Sequence, residues 1–359
     1  MATLGSQALT LRDTAEAARN KDGSLKANIL DLVSEDNGVL DDTTFMRADD
    51  GDKLSTDFRN LNPHGTWVAL NEGVPASKTG FSTAWDTCGR IKARIEIPMD
   101  TWNKTKDKEA LWQMHVRAHR EGLREDVATA LFYANIANEP RKFNGLCDFY
   151  DKYGYAGATR KQFFYNVING GESDVGTAGG TAGTLLNYVN ASKPLRSIWL
   201  VGWGELATTC FYPEVSKYAG LTLEPMKEMQ LQDANGNPIW AQTQEIIWEV
   251  GLAVRNFQKT GRICNVQLET AQSTADYAKS LIKHMRHLRG RVKDGGVRKA
   301  WYMTQDLWET VEDALFAMTQ GNAIKYGDLQ QSKPDALWGI PIHICDCLDT
   351  DEPLVTKAA

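Results

Sequence analysis

Long apolar runs are missing from this sequence: no stretch approaches the roughly 20 consecutive apolar residues of a membrane-spanning helix. The first twelve residues lack the basic start and apolar middle of a secretory signal. A soluble protein, made in the cytoplasm and without a membrane partner, is the expectation. Cysteine is sparse as well. Positions 88, 147, 210, 264, 345 and 347 include one close pair, Cys345 and Cys347, with no second pair at zinc-finger spacing. Reduced thiols are expected, not a disulfide framework. A formal net charge of −6 provides no global attraction to nucleic acid or anionic lipid.

Catalytic constellations are absent too. Residues 176–183 are rich in Gly, Thr and Ala, but no Gly-Lys-Ser/Thr ending follows and no strand feeds them. A flexible surface loop over 171–184 is expected in place of a phosphate cradle. Gly202 and Gly204 flank Trp203 where a nucleophile elbow needs serine. Glu224 and Glu228 sit at ordinary surface spacing. His115 and His119 have the i, i+4 spacing of a helical zinc pair, yet the intervening glutamate is missing and Arg117 and Arg120 would repel a cation. Nothing supplies nucleophile, base and oxyanion hole together. The expectation is a non-enzymatic protein with no metal and no cofactor.

What the sequence does hold is a ribbon. Residues 66–97 read as one long β-hairpin: a descending run at 66–70 (TWVAL), a tip at 73–80 dense in turn formers, and a return from Phe81 to Ile97. Ile91, Ala93, Ile95 and Ile97 alternate with Lys92, Arg94 and Glu96, the period of a strand with one dry face. A two-stranded ribbon is marginal in water, and no segment of the chain reads as its lid. A neighbouring copy is expected to cover it, with Trp67, Leu70, Val74, Lys78 and Phe81 as candidate inter-subunit contacts.

The rest reads as a mixed body. Ser24 caps a short amphipathic helix in an arm that turns acidic beyond Leu40. Residues 105–134 predict a long helix with Leu111, Met114, Ala118, Leu123, Val127, Ala130 and Ala134 along one side. Residues 197–203 are a continuous apolar run, as in a strand buried on both faces, and 248–254 and 264–268 alternate. Asn235-Gly236 marks a hairpin turn. A helix after Ser273 and Asp276 buries Ala278, Leu281, Ile282, Met285 and Leu288, and sets Lys279, Lys283 and Arg286 apart as a basic stripe. A strand through Trp301 leads to a helix with Leu307, Val311, Leu315 and Met318 on one face and Gly321 ending it; Ile340, Ile342 and Ile344 form a last strand. The class is α+β, with no internal repeat. Charge is uneven: residues 31–57 hold nine acids against two bases, and 277–299 hold eight bases against Asp294 alone. The basic stripe, with Arg289, fits either nucleic acid or the acidic strip of a neighbouring copy.

Four stretches now carry a resemblance. Residues 66–78 (TWVALNEGVPASK), 129–146 (TALFYANIANEPRKFNGL), 197–213 (SIWLVGWGELATTCFYP) and 248–266 (WEVGLAVRNFQKTGRICNV) together resemble the major capsid proteins of tailed bacteriophages with the Hong Kong 97-type fold. The resemblance implies an N-terminal arm (1–58), an extended loop (59–99) and a peripheral domain with a spine helix (100–145). It further implies an axial domain with returning peripheral strands (146–335) and a final strand and tail (336–359). It implies hexamers and pentamers closing an icosahedral shell around double-stranded DNA, with scaffolding, portal and cement or decoration proteins as partners, in a virion capsid made in host cytoplasm. The strand–helix unit near 299–345 follows the paired strands here and precedes them in the commoner order, so rearranged connectivity is expected. Lys78 matches the position of a cross-linking lysine in some members, but no matching acid and acceptor pair accompanies it, and no covalent cross-link is expected. The rival readings are a cellular compartment shell of the same fold, a DNA-binding protein using 277–299, and a metal-dependent enzyme using His115 and His119.

Overall fold

The computed structural model describes residues 38–154, 165–171, 194–214, 220–232, 236–268, 275–319 and 336–358. The expectations placed on the Ser24 helix, the Ser273 cap, Asn235, the Gly321 stop and nearly all of the 171–184 loop lie outside these residues. The described chain begins with α1 (Val39–Asp42), β1 (Phe45–Arg47) and β2 (Lys53–Leu61). After loop 62–79 come β3 (Gly80–Thr87), β4 (Gly89–Pro98), α2 (Met99–Lys104), α3 (Lys108–Tyr133) and α4 (Leu146–Phe149). The middle holds β5 (Lys152–Tyr153), β6 (Val167–Asn169), β7 (Arg196–Trp203), β8 (Thr208–Tyr212), β9 (Gly220–Leu223), β10 (Lys227–Gln232), β11 (Pro238–Val254) and β12 (Gly261–Val266). Then follow α5 (Ala275–Arg291), β13 (Arg298–Met303), α6 (Gln305–Thr319), β14 (Ala336–Leu337), β15 (Ile340–Ile344) and β16 (Thr356–Lys357).

Among the described residues twelve strands share one sheet, whose main path is β10-β11-β8-β7-β13-β15-β14. β7 is its hub, antiparallel to β12 on one side and to β13 on the other. Its apolar run is continuous because both faces are covered. Ile198 and Leu200 pack with Tyr277, Leu281 and Met285 of α5 and Leu307 and Val311 of α6. Trp199, Val201 and Trp203 face the other way, into the cluster that holds Leu131 and Phe132 of α3. β7, β8, β11 and β12 share this sheet with β13 and β15, so residues 197–268 are not an inserted domain standing apart.

α3 is a rod of 26 residues, about 39 Å long at ~1.5 Å per residue. The Asp107 carboxylate caps it by accepting from the Ala110 N–H at 3.1 Å. Its buried side, including Leu111, Leu123, Val127 and Leu131, lies over β4 and β11. Trp112 donates its indole N–H to Gln244 of β11 at 2.8 Å, which satisfies two buried polar groups at that junction. The chain turns back under the helix end at Gly145. A Cβ there would sit 2.8 Å from the carbonyl oxygens of Ala130 and Phe132, so the close approach requires glycine.

The ribbon departs from its sequence reading in the descending arm. β3 pairs with β2, from Lys53↔Thr87 to Leu61↔Gly80. The descending strand is therefore 53–61, and residues 66–70 belong to the tip. Pro63 has no N–H to donate and Asn62 and Gly65 favour turns, so the ladder stops at Leu61. The acids that suggested an exposed arm sit partly on the wet face of this strand: Asp57 is exposed while Leu54 and Thr56 are buried. The return arm is also less exposed than expected. β4 runs antiparallel to β11 over ten residue pairs, from Gly89↔Val250 to Pro98↔Ala241. Only β2, β3 and the tip remain without a third strand or a covering helix among the described residues.

The chain end is strapped across the sheet by a buried carboxylate. Glu352 accepts from Tyr133 Oη at 2.5 Å and from Ser197 Oγ, and it pairs with Arg262 at 2.7 Å. The Arg262 guanidinium also donates to the Tyr150 carbonyl at 3.0 Å and lies 5.0 Å from the Trp199 ring centre. Asn265 brackets Val355 by donating to its carbonyl and accepting from its N–H, both at 2.9 Å. Removing one partner of a buried ion pair costs about 3–5 kcal/mol, because the other charge is left unpaired in the interior. Glu352→Ala should lower the unfolding free energy of the unassembled subunit by about that amount in urea titrations.

Candidate functional site

Seven of the sixteen large hydrophobic side chains that the described residues expose lie between 61 and 85. That concentration makes the ribbon the candidate site, since contiguous exposed apolar surface marks contact with something else. Trp67 is 101% exposed and Leu70 is 95% exposed, so neither touches the body of its own chain. Val74 and Phe81 are exposed at 70% and 72%, and Lys78 is exposed beside them. The structure thus brings the five expected contact residues onto the tip and the first residues of β3. Three more were not named as contacts from the sequence, Leu61, Val68 and Trp85. Trp85 shares a face with Phe81, four residues along a period-2 strand, so the alternation at 81–85 carried the signal.

At its root the ribbon packs on the sheet, where Leu54 joins Phe211 and Ala253; beyond that it is ordered by polar pairs. Thr83 donates to Asp57 across the strands at 2.6 Å, and Arg59 lies opposite Phe81. At the tip the Glu72 N–H donates to the Ala69 carbonyl at 3.1 Å, and the Glu72 carboxylate accepts from the Ala69 N–H at 2.8 Å. Asn71 adopts φ 70°, which its short polar side chain tolerates. A closed turn therefore presents Leu70 outward. At the base, Arg90 on β4 pairs with the buried Glu249 of β11 and fixes the ribbon's root to the sheet.

The basic helix face is elsewhere in the fold. Lys283, Arg286 and Arg289 of α5 are exposed, whereas Lys279 is half-buried. The Arg289 guanidinium sits 5.9 Å from the Trp338 ring centre. The buried side of α5 is the one expected, with Ala278, Leu281, Ile282, Met285 and Leu288 in the core. On α3, His119 Nδ1 lies 2.9 Å from the His115 carbonyl oxygen, and burial together with the His119 charge holds the His115 imidazole below its usual pKa. Burial pushes the Cys88 and Cys147 thiols up to about 12, so both stay protonated.

Residues 20–356 match the family described as major capsid protein GP7. The chain belongs to that family. Among solved structures, a chain in the near-atomic structure of bacteriophage Epsilon15 is similar over 100% of both chains, at a TM-score of 0.72 and 22% identity. The capsid of bacteriophage JBD30 is similar over 85% of this chain and 90% of that one, at a TM-score of 0.44 and 12% identity. No curated protein matches. The fold is the Hong Kong 97-like capsid fold, α+β in class. The protein is a structural subunit of a phage capsid, and it associates with copies of itself.

That assignment separates the roles of exposed and buried aromatics. Replacing both Trp67→Ser and Leu70→Ser should change subunit unfolding free energy by less than about 0.5 kcal/mol, since neither side chain is packed. On the expectation that these two side chains pack on a neighbouring copy, the same pair should reduce particle yield in sedimentation.

Proposed function

We propose that this capsid subunit assembles into hexamers and pentamers that close an icosahedral shell around double-stranded DNA. The observation that carries the reading is the ribbon, an unlidded strand pair whose outer apolar side chains, Leu61 to Trp85, find no place in their own chain. Laid on a neighbour, each such residue contributes modestly: burying a leucine such as Leu70 is worth about 1.5–3 kcal/mol. Many contacts of this size let misplaced subunits leave before closure. The subunit divides accordingly into an arm ahead of Lys53, an extended loop at 53–87, a peripheral part around α3, and an axial part with returning strands. Scaffolding, portal and cement or decoration proteins are its further partners, and synthesis takes place in host cytoplasm. Lys78 is not cross-linked, for want of an acid and acceptor pair.

The exposed face of α5 is directed at DNA phosphates in this reading. Its rival partner, the acidic strip at 31–57, has commitments within its own chain. Asp42 is buried against Tyr302 and Arg298 at 2.6 and 2.5 Å, Asp49 accepts from Ser55 at 3.0 Å, and Asp57 accepts from Thr83 at 2.6 Å. Those acids are not available to a neighbour without breaking existing bonds, whereas DNA supplies phosphates freely.

Replacing 62–79 with a two-residue Asn-Gly turn should leave a folded subunit that forms no shells by negative-stain microscopy; normal particles from that variant would refute the reading. The triple variant Lys283→Glu, Arg286→Glu, Arg289→Glu should still form shells. Its unassembled subunit should lose roughly three counterions' worth of slope in the salt dependence of duplex DNA binding.

A further inference from the structure

An open cleft of about 300 Å³ lies between α1, β1, α3, β9 and β11. Its floor is apolar: Trp248 is buried, Leu40 and Leu221 are half-buried, and Phe45 is exposed at 43%. Its α3 wall is basic. Arg120 and Arg124 are both exposed and stand four residues apart, so they are neighbours in one row along the rod. Arg124 reaches Asp41 at 3.6 Å and Glu121 at 3.9 Å, whereas Arg120 has no ion-pair partner among the described residues.

The sequence just ahead of the described chain has the matching pattern. Behind Ser24, residues Leu25, Ile29, Leu32 and Val33 recur at helical spacing. At about 3.6 residues per turn those four share one arc, and Asp31 and Glu35 form an acidic row along one edge of it. That row has the same spacing as Arg120 and Arg124. Two helices side by side can therefore match the charges pair for pair while the apolar arc lies over the cleft floor.

Chain length decides whose cleft receives the segment. Position 36 is two steps from Gly38, a distance of at most about 7 Å at full extension. Gly38 is held close to the body, since a Cβ there would lie 2.9 Å from His343 Nδ1, and Val39 beside it is fully buried. Leu40 then lines the cleft itself. We infer that residues 24–36 form a helix that seats in the cleft of their own chain, with Leu25, Ile29, Leu32 and Val33 on the apolar floor and Asp31 and Glu35 against Arg120 and Arg124. The contact is internal to the subunit and does not depend on the shell-assembly reading above. It gives the acids at 31–36 a partner within the chain, as Asp42, Asp49 and Asp57 already have.

Amide hydrogen exchange on the unassembled full-length subunit tests it. A lone helix of about thirteen residues is marginal in water, so slow exchange at 24–36 requires packing. The expected result is exchange roughly tenfold or more slower than in a free peptide of the same residues. Two variants at exposed cleft positions, Arg120→Glu and Phe45→Asp, should each remove most of that protection while the rest of the subunit stays protected. Adding Glu35→Lys to Arg120→Glu should restore it, because the pair is then reversed in sign. Free-peptide rates in the unaltered chain would overturn the inference. Protection that survives both Arg120→Glu and Phe45→Asp would overturn it too, since the segment would then be seated elsewhere. Protection lost on about hundredfold dilution would assign the cleft to a neighbouring copy's segment and overturn it as well.

Discussion

A pair of β-strands in water gains too little from its own ladder to stand without a further strand or a packed face, and the subunit is arranged around that constraint. The inner half of the return arm, β4, satisfies it internally by pairing with β11 over ten residues beneath α3. The outer half, β2 with β3, does not. Its order comes from polar pairs such as Thr83 with Asp57 and from a self-closed turn at Glu72, while its aromatic side chains face solvent. A subunit built this way is stable enough to fold and incomplete enough to associate. β11, at 17 residues, joins the two regimes, since it pairs with β4, β8, β9 and β10 along its length.

The body that holds the ribbon is made specific by buried charge as much as by its apolar core. Glu352 with Arg262 places the chain end against the end of α3 and the sheet. Asp42 performs the matching role at the arm's root. Tyr302 donates to it at 2.6 Å, Arg298 pairs with it at 2.5 Å, and Trp203 donates to Tyr302 at 2.8 Å. Burying such groups adds little net stability but punishes every arrangement that leaves one unpaired. Two segments far apart in the chain, at 42 and 352, are thereby held to one sheet in one way each. The exposed faces differ in kind: the ribbon is apolar and lightly charged, and the outer side of α5 is basic.

Legibility in the sequence followed the locality of the signal. The α3 rod was readable because its stripe spans many turns, although it starts at Lys108, capped by Asp107, three residues after the expected start. The residues 197–203 were readable as a strand buried on both sides because α3 and the α5–α6 pair cover opposite faces of β7. The descending arm of the ribbon was misplaced by about a dozen residues. The apolar 66–70 run has the composition of a strand, yet Pro63 and Gly65 cut it off from the ladder, and β2 was masked by acids that sit on its wet face. Leu61 was passed over with that strand, whereas Trp85 lies on the return arm and was legible in the alternation at 81–85.

From the sequence alone came the class, the long helix, the five candidate contact residues at 67–81, the basic stripe of α5 and the resemblance to phage capsid proteins. Each of these is a local pattern, or an ordered set of local patterns, and needs no knowledge of what packs on what. Tertiary structure decided the pairing of β4 with β11, the register of β2 on β3, and the clasps at Asp42 and Glu352. Those depend on residues brought together from 19 to 260 positions apart, and hydrogen-bond partners and burial at such separations exist only once the chain has folded.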